Sequence, residues 1–367
     1  MKVLVIWKAL VSKAHHRKLK VLAGFKDVEI TLVVPTKWDK TNLEKEYCNE
    51  YKIIPVKVVL SGYNHFHWYP GLERYVRQVQ PDILHIEEEH YSLVTFQAIR
   101  LAGKYNIKCL FVSWQNIYKK YPFPFSWIEG YNLKNADYAI AGSKEVRNVL
   151  VKKGISNKRI SEIPLGVDTK MFHKMESTGL RHRLRLEAFT IGFLGRFVAE
   201  KGVMDLLEAV SRIKGKFNLL LVGDGKLRNK ITVEGSRLGI EQIKIIDTIP
   251  SSQVPNYLNC MDCLVLPSHT TKTWKEQFGR VLIEAMACEV PVVGSDSGEI
   301  PNVIGNGGLI FREGDVDDLS SKLEVLINNE DVRVELANKG RQRVQTHFVQ
   351  EKVAEDTYKI YQKMMSD

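Results

Sequence analysis

Lys2-Val-Leu-Val-Ile-Trp7 and Phe189-Thr-Ile-Gly-Phe-Leu194 are the two stretches that decide the fold. Each is short, apolar and nearly unbroken. A strand with one wet face alternates apolar and polar residues, whereas a parallel strand covered on both faces carries a continuous apolar run. Similar runs follow each opening. After the first come Glu29-Ile-Thr-Leu-Val-Val34, Lys52–Leu60, Ile83-Leu-His-Ile86, Lys108–Ser113 and Tyr138-Ala-Ile-Ala141. After the second come Asn218–Val222, Ile243–Ile246, Cys263-Leu-Val-Leu266 and Pro291-Val-Val293. Stretches of helical period, such as Gly71–Val79 and Tyr91–Tyr105, lie between them. Strands alternating with helices predict a parallel sheet covered by helices on both faces, and the restart at Phe189 predicts a second one.

The expected organisation is an α/β chain of two Rossmann-like domains facing each other across a cleft. Residues 1–172 form the first domain and 189–348 the second. The polar, Arg-rich stretch 173–188 reads as a linker. Residues 349–367 read as a terminal helix, Val349–Met365, whose packing partner the pattern leaves open. A length of 367 residues fits two cores better than one.

Composition excludes several classes. With 44% hydrophobic and 26% charged residues the chain is neither disordered nor fibrous. No apolar run approaches the roughly 18 residues that span a bilayer. The apolar start precedes its basic residues, the reverse of a signal peptide, so it reads as a first strand. A cytoplasmic protein is expected, at most peripheral on the inner membrane face. Five scattered cysteines, Cys48, Cys109, Cys260, Cys263 and Cys288, argue against a disulfide framework. Cys260 and Cys263 form an isolated C-x-x-C without the second pair that a zinc site needs, and read as packed thiols.

The net charge of +10 is uneven. Residues 1–172 carry 27 Lys+Arg against 16 Asp+Glu, a net +11, while 173–367 carry 26 against 27. A basic half suggests an anionic partner, such as a membrane surface, a lipid phosphate or a nucleic acid, beside the bland reading of solubilising lysines.

The densest chemical signal runs from Leu266-Pro-Ser-His-Thr-Thr-Lys-Thr-Trp-Lys-Glu276-Gln-Phe-Gly279 through Arg280-Val-Leu-Ile-Glu284-Ala-Met-Ala-Cys-Glu-Val-Pro291. A strand ends at Pro267, a polar loop follows, and a helix starts near Gly279 and stops before Pro291. Its N-terminal N–H groups and positive dipole end suit a pyrophosphate at the strand C-termini. Glu276 lies in the loop and Glu284 in the helix, eight positions on. Glu284 sits among Ile283, Ala285, Met286 and Ala287, so its carboxylate needs a partner, either a ribose hydroxyl or a local Arg or Lys. Gly223-x-Gly225 lacks the third glycine of a dinucleotide fingerprint. Asp315, Asp317 and Asp318 follow Gly314 and precede an apolar helical run, which reads as helix capping rather than a metal motif.

This segment resembles the E-x7-E signature of retaining GT-B glycosyltransferases of the family 4 type, the glycosyl transferases group 1. Phe193-Leu-Gly195-Arg196 with Glu200-Lys201-Gly202 looks like that family's phosphate-binding segment, and Leu221-Val-Gly223-Asp-Gly225 like its second glycine turn. Ser297-Gly-Glu-Ile-Pro301, Ala141-Gly-Ser143 and Ile163-Pro-Leu-Gly-Val-Asp168 extend the resemblance. It implies a nucleotide-sugar donor, UDP-, GDP- or ADP-linked, with no cofactor and no metal. It implies that Arg196 and Lys201 bind the donor diphosphate and that Glu276 contacts sugar hydroxyls. Glu284 would take the ribose, and the amides of Gly279 and Arg280 the phosphates, with Gly195, Gly225 and Phe278 completing the donor site. The acceptor would be a glycan or a lipid-linked sugar.

The first half departs from the family pattern. Where relatives carry a Gly-Gly loop, this chain has Ala9-Leu-Val-Ser-Lys-Ala14. Where they place a His, it has Trp114-Gln115-Asn116, and Gln115 can hydrogen-bond a sugar but cannot act as a base. His85 and His90, around Glu87-Glu88-Glu89, are the nearby acceptor-side candidates together with Trp114. Ile117–Ile128 mixes aromatic and basic residues, suiting a membrane interface or an acceptor groove. Two other readings stay open: a sugar-nucleotide epimerase of GT-B fold, and a non-catalytic protein that binds anionic surfaces. Peripheral membrane contact through the basic half is expected of the transferase, and a nucleic-acid partner is not.

Overall fold

The computed structural model describes residues 1–12, 16–44 and 49–366, arranged as two compact units. The first comprises residues 1–164 and 350–367 and the second residues 165–349. Lys13, Ala14 and Cys48, named above, lie outside the described residues.

The first unit holds strands β1 (Lys2–Ile6), β2 (Glu29–Pro35), the short antiparallel pair β3 (Lys37–Trp38) and β4 (Thr41–Asn42), and β5 (Lys52–Val56). Strands β6 (Ile83–Ile86), β7 (Lys108–Ser113), β8 (Tyr138–Ala141) and β9 (Ile160–Glu162) follow. Seven of these form one parallel sheet in the order β5-β2-β1-β6-β7-β8-β9. The apolar runs are buried on both faces: Leu4 and Ile6 enter one core layer, Val3 and Val5 the other. The fifth strand ends at Val56 rather than at Leu60. It lies at the sheet edge and contains Pro55, which donates no ladder hydrogen bond and is tolerated at such an edge.

The second unit holds β10 (Phe189–Leu194), β11 (Phe217–Val222), β12 (Ile243–Ile246), β13 (Cys263–Leu266), β14 (Val292–Ser295) and β15 (Gly308–Phe311). They form a parallel sheet in the order β12-β11-β10-β13-β14-β15. In both sheets the order reverses beside the first strand, between β1 and β6 and between β10 and β13. Open α/β sheets bind ligands outside the strand carboxyl ends at that reversal. The loops after β1, β6, β10 and β13 are therefore where chemistry belongs in each unit.

The first stretch of the first unit ends at residue 164 rather than 172. Residues 173–188, read as a linker, belong to the second unit and include a helix, Thr178–Leu184. Arg181 anchors that helix by donating to Cys260 O at 2.8 Å and pairing with Asp262 at 3.2 Å. The basic composition that suggested a tether thus serves a docked helix. The terminal helix, Gln350–Ser366, returns to the first unit. Its Val353, Ile360 and Met364 join the core layer of Val3 and Leu110, and the Phe25 and Tyr358 rings stack at 4.1 Å. Tyr361 is fully buried, a burial contributing ~2 kcal/mol or more.

Cys109, Cys260, Cys263 and Cys288 are free, buried thiols. Burial pushes each of them above the ordinary thiol range. Among the described residues no helix is long and apolar enough to cross a membrane.

Candidate functional site

In the second unit the loops after β10 and β11 interlock. Gly195 N–H donates to Val222 O at 3.0 Å and Phe197 N–H to Asp224 O at 2.9 Å. A Cβ on Gly225 would stand 2.5 Å from Phe197 O, so the backbones meet at a distance no side chain permits. The chain then turns through Gly202, at φ +65°, into helix Val203–Ser211. A Cβ there would lie 1.7 Å from Pro267 O. Gly202 thereby seats the loop carrying Lys201 directly on the loop after β13.

That contact brings Lys201 to Glu276. The Lys201 ammonium donates to Glu276 Oε2 at 2.5 Å, and Ser268 Oγ donates to the same oxygen at 2.8 Å. The Lys201 ammonium also lies 5.1 Å from the centre of the Trp274 ring. Trp274 is placed by a tight turn in which Thr271 N–H donates to Trp274 O at 2.7 Å and Trp274 N–H to Thr271 Oγ1 at 3.0 Å. Glu276 is buried, and its carbonyl meets the left-handed Gly298 so closely that a Cβ there would sit 2.1 Å away. Paired buried charges are retained where their geometry is held by further hydrogen bonds, as Ser268 does here. Arg196 is exposed, and its guanidinium makes no ion pair or hydrogen bond among the described residues.

Helix Arg280–Ala287 starts at Gly279, beyond Glu276, and so aims its dipole end at this loop. Phe278 is buried against Phe348, with ring centres 5.7 Å apart. Glu284 is buried within the helix, and Arg280 Nε donates to its Oε1 at 2.8 Å. Burial raises the Glu284 pKa, and Arg280 works against that rise. Asp315 caps helix Val316–Asn328 through Asp318 N–H at 3.0 Å.

Sequence reasoning gave no role to His269, Ser268 or Trp274. His269 lies in the loop after β13, with Nε2 2.8 Å from Asp205 Oδ2. That hydrogen bond outweighs burial and raises its pKa. Thr270 and Ser297 hydroxyls lie 2.9 Å apart, tying this loop to the one after β14. The polar run Ser268–Trp274 signalled a loop; which of its members touch could not be read from spacing.

In the first unit the loop after β6 carries Glu87, Glu88 and Glu89, each given a different partner set. Glu87 Oε1 lies 2.6 Å from Lys18 Nζ and 3.2 Å from His85 Nε2. Burial opposes its ionisation, but Lys18 and His85 hold its carboxyl down at about 2. Glu88 pairs with Lys8, in the loop after β1, yet burial still pushes its carboxyl up to about 7. His67 Nε2 lies 3.6 Å from Glu88 Oε1, and burial lowers the His67 pKa to about 3. Glu89 accepts from Ser113 Oγ at 2.7 Å and from Trp114 N–H at 2.8 Å.

The acceptor-side candidates lie beside these carboxylates. His85 is fully buried, with Nδ1 2.5 Å from the Tyr361 hydroxyl, so its ring joins the terminal helix to the sheet. His90 is fully buried too, with Nε2 3.0 Å from Glu129 and Nδ1 3.6 Å from Glu89. Burial alone would lower its pKa, but Glu129 and Glu89 outweigh burial and raise it. The Trp114 ring covers Gly142, where a Cβ would stand 2.3 Å from it. Gln115 is buried and spends its amide on its own loop: Nε2 donates to Ile117 O at 2.8 Å, and Tyr121 OH donates to Oε1 at 3.0 Å. At these strand ends the buried His85, His90 and Gln115 thus have protein partners, as buried polar groups require, and Trp114 packs over Gly142.

Comparison with known proteins follows the division into units. The family model described as "Glycosyl transferases group 1" matches residues 180–343, and that described as "Glycosyltransferase Family 4" matches residues 19–171. The chain is 32% identical over 192 residues to the capsular polysaccharide biosynthesis glycosyltransferase CapM of Staphylococcus aureus. That alignment takes in 51% of this chain and spans 49% of CapM. Sucrose-phosphate synthase from Thermosynechococcus elongatus superposes with a TM-score of 0.77 at 18% identity, over 100% of this chain and 99% of that one. Anabaena HepE, in complex with UDP, superposes with a TM-score of 0.76 at 17% identity, over 99% of this chain and 100% of HepE. These likenesses show the fold, GT-B, built from two Rossmann-like halves.

Proposed function

The chain belongs to the glycosyl transferases group 1 family, and from that premise we propose that it is a hexosyltransferase-type glycosyltransferase. It moves a sugar from a nucleotide-diphosphate donor to a glycan or lipid-linked acceptor, with retention of anomeric configuration and without a metal. The observation that carries the reading is the Lys201–Glu276 contact at 2.5 Å, set before the N-terminus of helix Arg280–Ala287 at the β10/β13 reversal.

Negative charge develops on the diphosphate as the glycosidic bond to the sugar breaks. Fixed cations aimed at that charge stabilise the transition state without reorganising at the moment of reaction. In this reading Lys201 and the exposed Arg196 supply them, and the amides of Gly279 and Arg280 hold the phosphates. The diphosphate replaces Glu276 as the partner of Lys201, which frees the Glu276 carboxylate for sugar hydroxyls. Glu284 turns from Arg280 to the ribose. The reaction is run in the cytoplasm with the first unit in peripheral contact with a membrane.

Thermal-shift measurements with UDP-, GDP- and ADP-sugars test the donor, since a ligand bound only by the native state raises the melting temperature. UDP, the nucleotide bound by HepE, is the first to try. Stabilisation by one class supports the proposal, and no stabilisation by any overturns it. Release of an isomerised nucleotide sugar from donor alone assigns the site to an epimerase instead. Turnover that persists in excess chelator supports the metal-independent form.

A further inference from the structure

Seven of the twelve exposed large apolar side chains among the described residues fall in two short stretches of the first unit, 59–66 and 118–127. Tyr63 is 63% exposed, Phe123 82% and Trp127 55%. The two stretches form one surface, because the Phe66 and Phe125 rings meet edge to face at 4.9 Å. Both are held in place from below. Val59 and Trp68 exchange backbone hydrogen bonds of 3.0 and 3.2 Å across the base of the first loop, and Leu93 N–H donates to His65 O at 3.0 Å. Trp127 leans on Phe96, with ring centres 5.2 Å apart. Rigid support keeps these rings outward, where they contribute nothing to the core.

Charge separates this surface from an ordinary apolar patch. Neither residues 57–69 nor residues 116–128 contain an Asp or Glu, while Lys57, Lys119 and Lys120 are present and exposed. Lys152 adds its ammonium 4.8 Å from the Tyr118 ring centre. The next carboxylate along the chain, Glu129, is turned inward to His90 and Lys153. The patch is thus aromatic at its tips and basic at its rim, with exposed Asp39 packed against Gly62 at one side.

We infer that this two-loop surface docks the first unit onto an anionic lipid bilayer. Phe and Trp rings enter the headgroup boundary, where amphipathic aromatics are favoured, and the lysines meet the negative surface potential. A single-stranded nucleic acid would want stacking platforms throughout. Val59 and Leu60, each about half exposed, offer none but suit acyl chains. The inference deepens the membrane contact in the proposed function and rests on it only for its purpose, since lipid binding needs no donor, acceptor or turnover.

The test is co-sedimentation of the full chain with phosphatidylcholine vesicles, with and without phosphatidylglycerol. The chain is expected to pellet with the anionic vesicles and to leave them as salt is added, since exposed charges are screened. Phe123→Ser with Trp127→Ser, and separately Lys119→Glu with Lys120→Glu, should each weaken that binding by about tenfold or more. Val233→Ser, an exposed apolar residue of the second unit, should leave it unchanged. The substituted side chains are exposed, and an unaltered melting temperature confirms folding. Equal binding to neutral vesicles, or full binding by either double variant, overturns the inference. So does binding to single-stranded RNA but not to vesicles. Vesicle binding that fails while nucleotide-sugar binding persists removes this surface alone and leaves the transferase reading standing.

Discussion

The ammonium of Lys201 lies 2.5 Å from Glu276 Oε2, across 75 residues of chain. The loops after β10 and β13 are seated on one another by Gly202, so this pairing follows from a backbone contact rather than from side-chain reach.

Lys201→Ala is therefore expected to lower turnover by about 100-fold or more, the scale seen when a fixed transition-state donor is removed. Arg196→Ala should act in the same direction. Because Arg196 is exposed, its variant should fold normally, and steady-state kinetics with the donor identified by thermal shift give the readout. Wild-type turnover in both variants would sink the donor assignment.

Gly202→Ala should destabilise the second unit by several kcal/mol, about 3 or more, since the added Cβ meets a carbonyl oxygen and φ is positive. Gly179→Ala is the contrast. Gly179 lies in helix Thr178–Leu184 with nothing within 4 Å of an added Cβ, so this change should stabilise by roughly 0.5–1 kcal/mol. Chemical denaturation of the two variants reads both signs.

Glu88 makes stability depend on pH. Its folded pKa is raised from 4.5 to about 7, so between those values the folded chain keeps a proton that the unfolded chain has released. Stability therefore falls as pH rises through that window, by about 3 kcal/mol in all. Glu87 behaves oppositely: its stabilisation is present above about 4.5 and is lost as pH falls toward about 2. Glu88→Gln should flatten the dependence between pH 5 and pH 7, measured by urea unfolding across that range. An unchanged slope would show that Glu88 is not its source.

His90→Ala removes the ring that Glu89 and Glu129 share, leaving Lys153 as the partner of Glu129. A loss of about 3–5 kcal/mol is expected from breaking such a buried arrangement. The melting temperature should drop markedly while donor affinity, a property of the second unit, holds. Intact stability with a raised acceptor KM would instead make His90 a substrate contact.

The two sheets were legible because buried parallel strands leave an unmistakable mark. Val3–Ile6 and Ile191–Phe193 have no polar face to show, so the apolar runs located these two strands within a residue or two, while the short edge strands β9 and β15 were not read. The helix Arg280–Ala287 was legible from Gly279 before it and Pro291 beyond it. Glu276, Phe278, Gly279, Arg280 and Glu284 clustered in sequence because the loop after one strand and the helix that follows form a single unit. The Pro55 strand ran short because an edge strand need not satisfy both neighbours.

What local pattern dictates here is thus the pair of doubly wound sheets and the loops at their reversals, since strand periodicity, glycine turns and helix starts are properties of neighbouring residues. The partners of the buried charged and polar groups were decided elsewhere. His85 meets Tyr361 across 276 residues, which sends the terminal helix back to the first unit, and Gln115 is spent on Ile117 and Tyr121. A buried polar group must be satisfied by whatever the packed chain brings beside it, and only the folded chain brings residues that far apart together.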